Sequence, residues 1–487
     1  MSDARPTSAR RRVVVIGGGV SGLAAAYQLC KECAGRDAAP EVLLLEAGGR
    51  TGGTVRTLRR DDFILEGGPD SFISEKPEAL ALAKELGLEP RLIETNEAHR
   101  RSFIVRGGRL RPVPEGFQLL APARFWPFFT TDIFSWPGKA RMALELLLPR
   151  RAANGTTDES LADFVRRRFG REALERMAQP MVGGIYTADP EQLSLRATMP
   201  RFLEMERAHG SVIRALWRAR RQTDAAQARS TSGARYSLFL SFDAGVQVLT
   251  DALTAHLPLG TIRLNTRVNA LAYEPATRQW RVSVNDRDTI TADAVCLALP
   301  AYAAAALLRA TDAQLAAELD AIPYASTATV NLAYRRADIP HALDGFGFVV
   351  PFVERRATLA CTFSSVKFAG RAPAGYALLR AFVGGALQPD TFALAAEAMT
   401  AAVRADLRQL LGIEAAPLFA HVEKWPRSMA QYHLGHLERL TRLDARLENL
   451  PTLHLAGNAY RGAGLPDCVR SGRTAATNLL QALAAIK

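Results

Sequence analysis

The chain has 487 residues, 48% hydrophobic and 23% charged, a balance that excludes disordered and fibrous classes and a length beyond one ordinary domain. A net charge of +12 suits nucleic acid, an anionic membrane or an acidic ligand; no nucleic-acid motif accompanies it, so polycarboxylate ligands or anionic lipid fit better. Five scattered cysteines, an odd number, argue against a disulfide framework and suit a reducing compartment.

Met1 to Arg12 has Ser and Arg but no apolar stretch, so neither a signal peptide nor a transit peptide is expected. Val13 to Ile16 reads as a buried strand that turns directly into Gly17, Gly18, Gly19, Val20, Ser21 and Gly22 and then a helix. In such a motif Gly17 permits the tight turn, Gly19 lets backbone approach a pyrophosphate, and Gly22 lets helix and strand pack closely. The helix N-terminus adds unpaired N–H groups and the positive end of its dipole. A second strand, Glu41 to Leu45, ends at Glu46, 24 residues after Gly22 and at the offset where an acid meets a ribose hydroxyl. An acid there disfavours a 2′-phosphate. The motif alone leaves FAD and NAD both open.

Further on, Pro77 to Leu86 reads as a helix ended by Gly87, and Ser102 to Pro114 as a hairpin around Gly107 and Gly108. From Leu119 to Leu148, Phe125, Trp126, Phe128, Phe129, Ile133, Phe134 and Trp136 crowd among arginines. Two readings stand: a membrane interface, with rings at headgroup level and cations towards phosphate, or a helical subdomain whose aromatics fill its own core. Asn154 to Thr157 is expected as a turn, Ser160 to Gly170 as an amphipathic helix and Gln222 to Gly233 as a polar surface loop. Ile262 to Val268, Trp280 to Val284 and Ala294 to Leu299 read as strands. Thr329 to Tyr334, Gly347 to Val350, Thr358 to Phe363 and Ala377 to Val383 read as one sheet, followed by a long helix from Phe392 to Leu411. No apolar run reaches the ~18 residues of a spanning helix.

The chain then closes as it opened. Leu453 to Ala456 is an apolar strand followed by Gly457, Gly462, Ala463, Gly464 and Leu465, and Ser471 to Arg473 leads into the final helix. Glycine-rich segments at both ends predict a discontinuous Rossmann-like domain over 11–98, 231–300 and 416–487. An inserted mixed-sheet substrate domain is expected over 99–118, 190–230 and 301–415, and a helical, membrane-associating subdomain over 119–189. The fold class is α/β plus α+β. Cys30-Lys31-Glu32-Cys33 has redox spacing but falls late in a helix. His433 and His436 lack further ligands, so no metal site is expected.

Three groups of residues carry a family resemblance. Glu46 to Thr54 places Arg50 and the pair Gly52-Gly53 after the ribose acid. Phe63 to Phe72 contains Glu66-Gly67-Gly68-Pro69-Asp70-Ser71. Arg235 to Phe239, Phe242 to Gly245, Gly345 to Gly347, Phe363 to Ser365, Trp425 to Arg427 with Gln431-Tyr432, and Leu465 to Cys468 complete the set. In these the chain resembles the flavin-dependent, oxygen-using protoporphyrinogen oxidases of the amine-oxidase-like superfamily, from about residue 12 to the C-terminus.

The resemblance implies noncovalent FAD. Gly17 to Gly22, Glu46, Arg50, Gly53 and Thr54 would hold the nucleotide half, with Val268 at the adenine. Gly68, Pro69, Asp70, Ser71, Trp425, Gly457, Ala463, Gly464 and Leu465 would hold the flavin half. It further implies that flavin carries the chemistry with no catalytic side chain, as the lack of nucleophile and metal motifs also suggests. The implied reaction is oxidation of protoporphyrinogen IX to protoporphyrin IX, oxygen being reduced to hydrogen peroxide, in heme biosynthesis. Coproporphyrinogen III oxidation, an amine oxidase or a carotenoid desaturase, and a non-catalytic flavoprotein scaffold are the alternatives. Phe346, Val349 and Phe382 are the expected substrate walls. The family's propionate-binding arginine falls at Ser102 here, which leaves Arg101 as the expected anchor. A cytoplasmic protein, peripheral on the inner face of the cytoplasmic membrane and forming a homodimer, completes the expectation.

Overall fold

A computed structural model describes residues 10–35, 39–151, 158–226 and 239–485. The turn expected at Asn154 to Thr157 and the Arg235 to Leu238 motif lie outside the described residues, as does all of the Gln222 to Gly233 loop beyond Ala226. Gln222 to Ala226 continue the helix Val212–Ala226.

The nucleotide half is a five-stranded, all-parallel sheet in the order Ile262–Arg263, Glu41–Leu45, Arg12–Ile16, Ala294–Leu297, Leu453–Leu455. Its strands come from both ends and the middle of the chain, as a discontinuous domain requires. Covered on both faces, such a sheet needs continuous apolar strands. Val13 and Val15 pack against the helix Val20–Cys33, while Val14 and Ile16 face a core with Trp280 and Val282. That second core is roofed by the antiparallel meander Val268–Glu274, Gln279–Val284 and Asp288–Ala292. Trp280 is fully buried there and donates from its indole N–H to Thr452 Oγ1 at 2.9 Å.

The expected strand Ile262 to Val268 is two strands. Ile262–Arg263 closes the parallel sheet, Asn265 turns the chain through a left-handed φ of 51°, and Val268 opens the meander. The expected helix Phe392 to Leu411 is likewise divided into Pro389–Ala393 and Ala396–Leu411. Leu394 and Ala395 between them are extended (ψ 146° and 157°), and the Leu394 carbonyl accepts from Lys424 Nζ rather than from the helix.

A seven-stranded mixed sheet stands beside the nucleotide half, in the order Phe419–Ala430, Tyr324–Arg335, Tyr376–Gly384, Thr358–Phe363, Gly347–Val349, Phe103–Arg106, Arg109–Pro112. One face, with Val330, Leu332, Leu379 and Ala381, is sealed by Met399, Val403 and Leu407 of Ala396–Leu411. The alternate residues of the same strands, among them Thr329, Asn331, Arg380 and Trp425, turn towards the nucleotide half.

The third body is helical, and its core joins Phe128, Ile133 and Phe134 to Phe164, Phe169, Phe202, Val212 and Ile213. The helices Pro200–His209 and Val212–Ala226, expected with the substrate sheet, therefore share the core of the 119–189 segment. Helices Ala301–Leu308 and Ala313–Asp320, also expected there, pack with the nucleotide sheet. The aromatic run divides between its two readings: Phe128 and Phe134 are core, whereas Trp126 and Trp136 are 77% and 70% exposed, beside exposed Phe125, Phe129 and Leu147.

Candidate functional site

The site is assembled where the first strand meets its helix. Gly17 turns the chain with φ 107°, and a Cβ there would lie 2.4 Å from the Ala298 carbonyl oxygen. At Gly22 a Cβ would lie 1.8 Å from the Gly17 carbonyl oxygen, and at Gly472 it would lie 2.1 Å from that of Ser21. Only hydrogen fits at either point, so the N-terminal and C-terminal helices close tightly on the turn. Gly19 differs. Its backbone is extended (φ −71°, ψ −179°), and a Cβ there would meet nothing within 4 Å. The helix it opens has no side-chain cap, and by position the N–H groups of Val20, Ser21 and Gly22 have no acceptor within the helix. Open space in front of uncapped amides is an anion cradle.

Around it the other predicted nucleotide residues converge. Glu46 accepts from the Gly18 and Gly48 amides, both at 2.7 Å. Gly19 pairs with Gly52, and Gly53 sits against Gly19 Cα. Arg50 spends its guanidinium on its own loop, donating to the carbonyls of Thr51, Gly53 and Val55. Thr266 N–H donates to the Glu46 carbonyl at 2.8 Å, so the chain entering Val268 is stitched to Glu46.

The loop expected to meet the flavin leaves the strand Phe63–Glu66. Burial pushes the Glu66 carboxyl up, although Val246 N–H and Thr57 Oγ1 both donate to it. Trp425 Nε1 and Thr329 Oγ1 donate to the Gly67 carbonyl at 2.8 and 3.0 Å, and Asn331 Nδ2 to that of Glu66. A Cβ at Gly68 would lie 1.8 Å from the Thr54 carbonyl oxygen, so the nucleotide and flavin loops touch there. Pro69 follows in the same loop. Asp70 and Ser71 turn their side chains into the protein: Lys367 Nζ lies 3.0 Å from Asp70 and 3.2 Å from Ser71 Oγ. Burial alone would raise the Asp70 carboxyl, but Lys367 and Arg380 outweigh it and hold it well below the usual range.

At the C-terminal end Ala456 N–H bonds Leu297, Gly457 takes φ 137° with its N–H on Ser471 Oγ, and the Tyr432 hydroxyl bridges Asn458 and Gly462. Ala463 and Gly464 then lead into the helix Leu465–Ala485, which begins at the site.

The substrate residues are less uniform. Val349 takes the sheet face opposite Phe348, and its Cγ1 lies 3.8 Å from where a Gly184 Cβ would stand. Gly184, in the helix Gln179–Tyr186, is thus the neighbour of Val349 on that face. Phe382 is half-buried beneath the Arg380 guanidinium at 4.6 Å, and Phe346 is buried. Arg101 is turned outward: its side chain is 55% exposed and pairs with Asp344 at 3.2 Å, while its carbonyl accepts from Phe346 N–H.

Sequence reasoning missed Lys367 and Arg380. The available signal was one arginine inside the apolar run Ala377 to Val383, where an unpaired charge is rarely buried. Burial holds the Cys30 thiol up at about 11, and Cys33 is buried. Among the described residues, no cluster of three His, Cys, Asp or Glu side chains is placed to hold a metal.

Residues 20–480 match the family described as flavin containing amine oxidoreductase. The chain belongs to that family. It is 38% identical to the coproporphyrinogen III oxidase of Propionibacterium freudenreichii, over 98% of this chain and 92% of that one. The corresponding enzyme of Bacillus subtilis is 33% identical over 97% and 98% of the two chains. The protoporphyrinogen oxidase of Homo sapiens is 32% identical over 96% and 98%. A solved structure from Exiguobacterium sp. 255-15 superposes with a TM-score of 0.85 at 31% identity, covering 98% and 99%. The protein is an FAD-dependent oxidoreductase, and the cradle fits that group: open at Gly19, uncapped at the helix, and bordered by an acid rather than a cation at Glu46.

Proposed function

We propose that this enzyme oxidises a porphyrinogen to its porphyrin, with oxygen as final acceptor and hydrogen peroxide as product. The observation that carries this reading is near-full-length likeness to enzymes named for two porphyrinogens. FAD, when bound there, would supply hydride acceptance from carbon. The chain supplies the rest. Val349, beside Gly184, and the half-buried Phe382 would offer apolar contacts to the macrocycle, while Phe346 is buried. Trp425, Thr329 and Asn331 fix that loop through its carbonyls. No side chain is needed as a base, because protons leaving the pyrrole N–H groups pass to solvent or shift by tautomerisation.

The resemblance put protoporphyrinogen IX first, although no residue of the sequence chooses between the two porphyrinogens. Coproporphyrinogen III is the second reading, and the identities of 33% and 38% to coproporphyrinogen III oxidases favour it. Rates of porphyrin fluorescence gain with each porphyrinogen, measured side by side, test both. Product from neither removes the proposal.

Peripheral attachment to an anionic membrane is part of the same reading. Phe125, Trp126, Phe129, Trp136, Leu144 and Leu147 are exposed on the helical body, with Lys139 over the Trp136 ring at 4.4 Å. Among the described residues no helix is long and apolar enough to cross a membrane. Exposed aromatics of this kind suit the headgroup zone, although Lys139 itself is buried and donates to the Phe129 carbonyl.

A further inference from the structure

The layer between the flavin loop and the mixed sheet holds five buried or nearly buried charged side chains. Glu66 and Asp70 come from the loop and its strand; Lys367, Arg371 and Arg380 come from the sheet side. Arg371 is fully engaged, donating to the Asp243 and Phe242 carbonyls and to Ser241 Oγ. Lys367 holds Asp70 and Ser71. Arg380 is 3% exposed. It donates to the Gly68 carbonyl, lies 3.7 Å from Asp70 and covers Phe382, yet its Nε has no partner. The nearby pairs Arg56–Glu423 and Arg91–Asp243 are each matched. Three cations therefore face two carboxylates, and the surplus is positive whichever form Glu66 takes. A buried surplus of this kind is costly unless something in the site compensates it.

We propose that Arg380 is a positioning residue of the flavin site, clasping the loop through Gly68 and Asp70 and, with Lys367, leaving there a positive charge that favours the electron-rich form of the bound flavin. The proposal rests on the reading of Gly67 to Ser71 as the flavin-contacting loop. Two acts are separable in it. The guanidinium fork fastens the loop, which lysine cannot reproduce from one nitrogen. The charge sets the electrostatics, which lysine keeps.

The test uses the purified FAD-loaded enzyme and its apoprotein, and reads the flavin midpoint potential and FAD affinity rather than turnover. Arg380→Gln is expected to shift the reduced-to-oxidised ratio at fixed potential about tenfold towards oxidised, equivalent to ~30 mV downward for a two-electron couple. Asp70→Asn, which removes the opposing charge, is expected to move the potential upward. Arg380→Lys is expected to keep the wild-type potential but bind FAD more weakly. General damage to the site would move Arg380→Gln and Asp70→Asn in one direction, so shifts of the same sign, or no shift in either, overturn the proposal. Trp425→Phe, which removes the indole bond to Gly67, separates the two levels. If it leaves flavin absorption and affinity unchanged, the loop is not at the flavin and the underlying reading falls. If it alters them while the potential ignores Arg380 and Asp70, only the clasp falls.

Discussion

Gly19 and Gly22 stand three residues apart in one motif, yet they are expected to fail in different ways when replaced. A Cβ at Gly22 would lie 1.8 Å from the Gly17 carbonyl oxygen, inside any allowed contact. Gly22→Ala must therefore separate helix and turn in the apoprotein, an overpacking cost of about 1–3 kcal/mol. At Gly19 the backbone is one that any residue adopts, and the added carbon meets no atom within 4 Å. Gly19→Val should cost the apoprotein no more than about 1 kcal/mol, the preference of a helix N-cap for glycine over a β-branched residue. The open space, however, is where the pyrophosphate would stand. Filling it should weaken FAD by at least two decades, about 2.8 kcal/mol. Urea unfolding of the apoproteins and quenching of FAD fluorescence on titration with apoprotein measure the two costs separately. If Gly19→Val unfolds as early as Gly22→Ala, or binds FAD as wild type does, the cradle has been misplaced.

Glu46→Ala should bind FAD more weakly by ~1–3 kcal/mol, less than Gly19→Val, since it removes one charged acceptor and leaves the amides; equal losses by the same titration contradict that ranking. Asp70 makes a pH prediction. Its carboxyl is depressed in the folded protein, so its contribution to stability is complete above the unfolded value of ~3.9 and is lost as pH falls towards the lower folded value. Asp70→Asn should accordingly lower the wild-type urea midpoint at pH 7 and converge with wild type in strong acid; a constant gap at every pH refutes it. In the helical body, Arg168 and Glu145 are both fully buried and paired, with Glu145 also accepting from Val212 N–H at 2.8 Å. Arg168→Met strands that carboxylate and should cost about 3–5 kcal/mol, so an unchanged urea midpoint would show that the network is not a stabilising knot. Vesicle flotation tests the aromatic patch. Wild type should rise with anionic vesicles at low salt and a Trp126→Ala, Trp136→Ala double variant should not, whereas wild type remaining at the bottom makes the patch an ordinary surface.

The nucleotide half was legible because its chemistry is local. Gly17, Gly22 and Glu46 act through spacing along the chain, and the structure places each where spacing put it. The parallel sheet was legible from continuous apolar strands, even though its fifth member lies some 440 residues from its first. What the sequence hid depends on what packs across the chain. Nothing local distinguishes Phe128 in the core from Phe129 beside it at 41% exposure. That Arg101 pairs with Asp344 has no signal along the chain. That Lys367, almost 300 residues later, holds the side chains of both Asp70 and Ser71 has no local signal either. The break at Leu394 and Ala395 lay inside an unbroken apolar pattern, and its carbonyl partner, Lys424, comes from another strand.

The central claim is that this flavoenzyme takes electrons from a porphyrinogen. Its most direct measurement is the flavin absorption of the FAD-loaded protein under anaerobic conditions as coproporphyrinogen III, protoporphyrinogen IX or a primary amine is added. The account predicts bleaching of the flavin band by a porphyrinogen, with the matching porphyrin appearing and the band returning when oxygen is admitted. An oxidised spectrum unmoved by either porphyrinogen, or bleached by the amine alone, would contradict it.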